Sequence, residues 1–415
     1  MSESKVFEEK DYQNIIDYVY HYGDSSFREL PFNDLDNAVF SAFSYIPFEE
    51  FEKKNSAYSV KTVSDLCLDY LAWININYIS SHYPDWLRRS IFLAMAMFRK
   101  KRYQDCKVTH FRCHFSEEDK TQFGALCILL DDGTGTVVYR GTDNSILGWR
   151  EDFNLACYES VPGQLSATRF LQRVMKAFPE TEFRVMGHSK GGNLAVYAAS
   201  SLPKNKLAKI IRIYSNDGPG LTEMMFDSSG HKAIEDKVTH IVVEEDVVGG
   251  LLCHEKAEYV VVSSPKNDLA MQHDLYNWHV KDKSFVKVKR VHPLSKYITD
   301  SVNDWLKDSV PNPEIREEIV RLLFTAQAKT NFNEAGQVLE HPAKFFFDLL
   351  HQINKLDKVD KKLLNKSLLS LFFTFTKNNS AYLKDKAEYN ADNKKKETKT
   401  DINESEMLEK VVSNA

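Results

Sequence analysis

The chain has 415 residues, 43% of them hydrophobic and 27% charged, with a formal net charge of −5. That balance is ordinary for a soluble globular protein, at a length that suits two or three domains. No cluster of Lys and Arg dominates a face, so no nucleic acid is expected as a partner. Residues 1–13 hold no apolar stretch and no small-residue cleavage site, unlike a secretory signal. The apolar run Ile91–Phe98 is far short of the ~20 residues of a spanning helix. Six cysteines with no Cys-x-x-Cys pair read as thiols of a reducing compartment, and the cytoplasm is the expected location.

Residues 1–106 are expected to form a helical N-terminal extension. Asp34-Leu35-Asp36 precedes an apolar run through Val39, Phe40 and Phe43. Val63, Leu66, Leu68 and Leu71, then Leu87, Ile91, Met95 and Phe98, recur near helical spacing. The period changes at 107, where Val108–Phe115 alternates as a strand. Gly124–Leu130 and Thr136–Tyr139 follow, joined by a glycine-containing hairpin turn at 131–135. Strands at 183–186, 209–214, 238–243 and 258–263 then alternate with helices near 190–201 and 220–227, which implies crossovers and a mostly parallel sheet flanked by helices. Residues 107–292 are thus expected to be an α/β core and 293–379 a helical C-terminal region, with Asn312-Pro313 starting one helix. Residues 380–415, rich in Lys, Glu, Asp and Asn, are expected to be a disordered tail.

The chemistry centres on Gly187-His188-Ser189-Lys190-Gly191, a G-x-S-x-G sequence. Phe183–Met186 before it reads as a short buried strand and Asn193–Ala199 after it as a helix, the strand–turn–helix context of a nucleophile elbow in an α/β-hydrolase fold. Glycines on both sides permit a turn too tight for a Cβ. Ser189 would stand at a helix N-terminus, where dipole and N–H groups favour developing negative charge. A serine hydroxyl needs a base, and the base an orienting acid. In this fold the chain order is serine, acid, histidine.

Two acids follow strands downstream. Asp246 leads from the 238–243 strand into a Val-Val-Gly-Gly loop and is the preferred acid. Asp217 lies in Asn216-Asp-Gly-Pro-Gly220, where a turn accounts for an aspartate without chemistry. Of His254, His273, His279 and His292, the preferred base is His273, on a loop after the 258–263 strand. One oxyanion donor would be the backbone N–H of Lys190. The other would come from Thr142 in Tyr139-Arg-Gly-Thr-Asp143, through its N–H and hydroxyl.

These segments, with Gly148-Trp149-Arg-Glu-Asp152, Glu245-Asp-Val-Val248 and Gln272-His-Asp274, resemble the class 3 lipase branch of the α/β hydrolases, and within it a bacterial family of lipase-like proteins. Phe32-Asn-Asp-Leu-Asp36 resembles the bacterial family as well. The resemblance implies that the residue after Arg-Gly, here Thr142, serves the oxyanion hole and that the acid before a Val-Val pair is Asp246. The elbow departs from the branch by carrying Lys190 where leucine is usual, which would make the acyl pocket more polar. The aromatic-glycine-proline segment usual after the elbow helix is here Ser215-Asn-Asp-Gly-Pro219.

His110, Arg112 and His114 fall on one side of a strand, a spacing that does not let the two histidines share a metal, and no metal site or cofactor is expected. Leu363–Phe375 has an apolar face that suits a packed helix, a cover over the site, or a peripheral membrane contact. The expected function is hydrolysis of a carboxylic, lipid-like acyl ester or thioester through an acyl-enzyme on Ser189, with Asp246 and His273 completing the triad. The alternatives are a non-catalytic scaffold serving as a binding module and an acyltransferase with the same triad.

Overall fold

The computed structural model describes all residues except 1–12, 50–59, 75–84, 117, 119–120, 144, 257, 262–268, 335–336, 339–340 and 414–415. Among the described residues, nine strands pair in chain order into one sheet. They are β1 (Lys61–Thr62), β2 (Lys107–Ser116), β3 (Thr121–Leu129), β4 (Gly135–Tyr139), β5 (Phe183–His188), β6 (Ile210–Asn216), β7 (Val238–Val243), β8 (Tyr259–Val261) and β9 (Lys287–Val288). Strands β1–β4 are antiparallel, β4–β8 parallel, and β9 closes the edge antiparallel to β8. The expected strand at 258–263 is described only over Tyr259–Val261. The helix expected at 220–227 is a single turn, Glu223–Phe226, because Pro219 and Gly220 hold the chain extended before it.

Four early helices are α1 (Ile15–Tyr22), α2 (Asp34–Phe43), α3 (Val63–Trp73) and α4 (Asp85–Met97). Capping boxes start the first three: Asn14 with Asp17, Asn33 with Asp36, and Thr62 with Asp65. Asp36 also receives a bidentate pair from the wholly buried Arg102, at 2.7 and 2.5 Å. These helices are not an extension. Leu35, Val39, Phe40, Phe43, Leu66 and Ile91 share one core with Leu126, Val138, Met186 and Ile241 of the sheet. The region is one layer of the fold, since the apolar side of β3–β7 away from the later helices would otherwise face water.

The opposite face is covered by α5 (Ile146–Asn154), α6 (Pro162–Ala177) and α7 (Lys190–Ser200). There Phe170, Leu171, Val174, Leu194 and Ala198 pack on Phe123, Val137, Val185 and Ile213. A mostly parallel sheet between two helical layers, with a serine at the sharp β5–α7 turn, is the α/β-hydrolase fold. After the short α8 (Leu269–His273) come α9 (Pro293–Asp304), α10 (Pro313–Gln327), α11 (Pro342–Ile353) and α12 (Lys358–Ser413). Leu322, Ile353 and Leu364 form a small core of their own there.

The stretch expected to be a disordered tail continues α12 to Ser413. Residues 380–413 contain no Gly or Pro, and alanine, lysine and glutamate there favour a helix. The helix is tied down by Tyr382 stacked on Tyr297 at 4.7 Å, Arg290 paired with Asp385 at 2.9 Å, and Tyr389 donating to Glu244 at 2.6 Å.

Candidate active site

Strand β5 delivers the chain to Ser189 at φ 58° and ψ −133°. A non-glycine residue in that region costs about 1–3 kcal/mol and persists only where its surroundings over-determine it. Here they do. A Cβ on Gly191 would lie 2.2 Å from the Tyr139 carbonyl oxygen, so α7 starts in direct backbone contact with β4. The Asn216 side chain, on the neighbouring strand, donates to the Gly187 carbonyl and exchanges reciprocal amide bonds with Asn37 of α2 at 2.7 and 2.9 Å. The N-terminal layer thus holds the turn from below.

His273 ends α8 against His188, the residue before the serine. Its ring lies 4.5 Å from that of His188, and its carbonyl bonds His188 Nε2 at 2.8 Å. A carbonyl only accepts, so His188 carries its proton on Nε2 and takes the Tyr45 hydroxyl on Nδ1 at 2.9 Å. Burial, and then the charge of His273, push the His188 pKa well below the usual imidazole value, which keeps it neutral. His273 Nε2 is buried with no hydrogen-bond partner among the described residues.

Both sequence acids converge on the other nitrogen. His273 Nδ1 is 2.8 Å from Asp217 Oδ2 and 3.3 Å from Asp246 Oδ2. Asp217, first explained as a turn residue, does adopt a turn conformation at φ 50°, but its carboxylate is aimed inward and also accepts from Val243 N–H at 3.3 Å. The signal for it was its place at the end of the strand next to the elbow, level with Asp246 one strand further on. Asp246 accepts from Val248 N–H at 2.7 Å.

The two acids titrate in opposite directions. Burial and the neighbouring Asp246 charge push Asp217 well above the usual carboxylate range. Burial opposes the Asp246 charge too, but His273, Asp217 and the Val248 N–H hold that pKa well below. Asp246 therefore keeps the charge and Asp217 is the first to take a proton. Burial works against the His273 imidazolium, yet Asp246 and the bonds to both acids raise its pKa well above the ordinary value. Among the described residues this trio is also the only His/Cys/carboxylate cluster tight enough for a metal, with ligand atoms within 4.8 Å. A cation there would displace the bonds that orient the ring.

Gly141 brings the segment after β4 against the serine: a Cβ on it would sit 3.2 Å from Ser189 Cβ and 2.5 Å from the His188 carbonyl oxygen. The Thr142 hydroxyl has one proton to give and donates it to Asp152, at 2.8 and 2.7 Å from the two carboxylate oxygens. Only the Thr142 backbone N–H is left for an oxyanion, which corrects the expectation that its hydroxyl takes part. Burial raises Asp152 to about 6 against the pull of Lys190 and Thr142. As first residue of α7, Lys190 presents an N–H with no intrahelical acceptor.

The Lys190 side chain does not line an acyl pocket, contrary to expectation. It runs inward, wholly buried, with Nζ 2.9 Å from the Gln122 carbonyl, 2.6 Å from Gln122 Oε1 and 2.8 Å from Glu151 Oε2. Glu151 is held in turn by Gln122 N–H and Gly163 N–H. A buried charge needs such a set of partners, and nothing in the spacing of Glu151 and Lys190 paired them.

Among solved structures, the chain is similar to the Rhizomucor miehei lipase propeptide complex, at 15% identity over 55% of this chain and 67% of that one, with a TM-score of 0.33. It is likewise similar to lipase II from Rhizopus niveus, at 17% identity over 60% and 85%, with a TM-score of 0.32. No curated protein matches it. Residues 97–325, more than half of the chain, match the Mbeg1-like family and take in the elbow, both acids and His273. The chain belongs to the Mbeg1-like family.

Proposed function

We propose that this chain is a cytoplasmic serine hydrolase that cleaves a lipid-like carboxylic ester or thioester. His273 Nε2 takes the Ser189 proton as Oγ attacks the acyl carbonyl. The N–H groups of Lys190 and Thr142 stabilise the tetrahedral oxyanion, an effect for which one donor is typically worth ~10²–10³ in rate. Collapse expels the alcohol or thiol with a proton from His273, and water then releases the acid by the same steps. Asp246 stabilises the imidazolium. The observation that carries the reading is a positive-φ serine whose preceding residue, His188, packs on a histidine with an unpartnered Nε2 and an Nδ1 that meets two buried carboxyl groups. A lipid-like substrate goes with peripheral membrane contact through the outer face of α12, where Lys362, Lys366 and Lys377 flank the exposed Leu369 and Phe373.

The test is labelling by a fluorophosphonate probe. Wild type is expected to label, Ser189→Ala to stay unlabelled with unchanged thermal melting, and His273→Ala to stay unlabelled while still folded. A folded wild type that stays unlabelled with or without detergent micelles would favour a non-catalytic scaffold. Product analysis with added alcohols separates hydrolysis from acyl transfer.

A further inference from the structure

A cavity of about 400 Å³ lies between the outward side of β2 and the outer face of α6. Its volume is in the range of small-molecule sites. Arg112 and His114 line it from the strand, Arg169 and Arg173 from the helix, and no acid is among its described lining residues. Arg112 and Arg173 have no hydrogen-bond or carboxylate partner among the described residues, and Arg169 bonds only the Ser166 hydroxyl at 3.2 Å. His110, two residues before Arg112 on the same side of β2, has its pKa lowered by burial and then by the charge of Arg173. Cations facing cations across a cavity repel, and guanidinium groups are suited to clasp the oxygens of an anion in pairs.

The floor is of the opposite character. Phe123 and Phe170 are buried beneath the cavity, and Leu165 stands at its side, 42% exposed. Inorganic phosphate alone would leave Leu165 uncovered. We propose that this cavity binds an anionic amphiphile, a phosphate head clasped by Arg112, Arg169 and Arg173 with an alkyl chain against Leu165 and the rim of Phe170. The inference is independent of the Ser189 chemistry. Its wall nonetheless shares backbone with the elbow's support, since Thr121 and Phe123 flank Gln122, which holds Lys190.

The experiment is isothermal titration of the full chain with octyl phosphate, sodium phosphate and neutral octyl glucoside. Octyl phosphate is expected to bind one to one, at least tenfold tighter than either of the others. Arg112→Ala and Arg173→Ala, both at exposed positions, should each weaken it about tenfold. Their melting temperatures without ligand should equal or exceed that of wild type, because repulsion is relieved. Equal affinity for sodium phosphate would overturn the apolar half of the site, and equal affinity for octyl glucoside its anionic half. Binding unchanged in both folded variants would overturn the assignment altogether.

Discussion

At the scale of single residues, the two acids on His273 are not equivalent, and their difference is measurable. His273 must be neutral to accept the serine proton, and its pKa is raised, so labelling should fall as pH drops through a value above the ordinary imidazole pKa. Asp246→Asn removes the charge that holds this pKa up. The acid limb should move down and the rate at its plateau should drop on the order of a thousandfold or more, as when a triad acid is lost. Asp217→Asn leaves the Asp246 charge in place, so a smaller downward move and a loss of about tenfold or less are expected from the same profile. The reverse ranking would make Asp217 the charged partner.

Lys190 and Glu151 offer a second test at this scale. Removing one partner of a wholly buried pair strands the other, at about 3–5 kcal/mol. Lys190→Leu and Glu151→Leu should each show that loss in denaturant unfolding. The double variant should regain most of it.

Among the elements, those built by alternation were legible in the sequence. Val108–Phe115, the 131–135 turn and the strand–serine–helix junction each declare themselves through local spacing, and the structure has them as β2, the β3–β4 hairpin and the β5–α7 elbow. What was not legible depends on a partner far away in the chain. Nothing local says that Lys190 turns inward to Glu151, or that Asp217 reaches a histidine 56 residues later. The helices before residue 106 show an apolar side but not what it covers.

The last helix poses the same question from the outside. On α12, Lys358, Lys362 and Lys366 follow one another at four-residue steps, and Leu369, Phe373 and Lys377 continue along the same outer side. Leu369, Phe372 and Phe373 are 55%, 64% and 60% exposed. From Lys361 to Lys384 there are five lysines and no acid. An apolar strip among cations is matched to an anionic lipid surface. In co-sedimentation with phosphatidylcholine–phosphatidylglycerol vesicles, Phe372→Ser with Phe373→Ser should lower binding about tenfold, and added salt should lower it for wild type.

For the whole molecule, the N-terminal layer decides whether there is a sheet domain at all. Its core members bury against β3–β7, and each Leu or Phe so placed contributes about 1.5–3 kcal/mol. A chain begun at residue 97 would keep the elbow, both acids and His273, yet expose one face of the sheet. It is expected to aggregate or to lose its cooperative melting transition in calorimetry, whereas the full chain is expected to melt cooperatively.

The same layer has a consequence for biosynthesis. The helices that cover the sheet are made before the sheet exists. Asn37 waits for Asn216, 179 residues later, and Phe27 for Asp131, 104 residues later. At ribosomal speeds of about 5–20 residues per second, the greasy side of α2 stays uncovered for roughly ten to thirty-five seconds while β3–β6 are still being translated. A nascent chain in that interval is a natural client for a ribosome-associated chaperone.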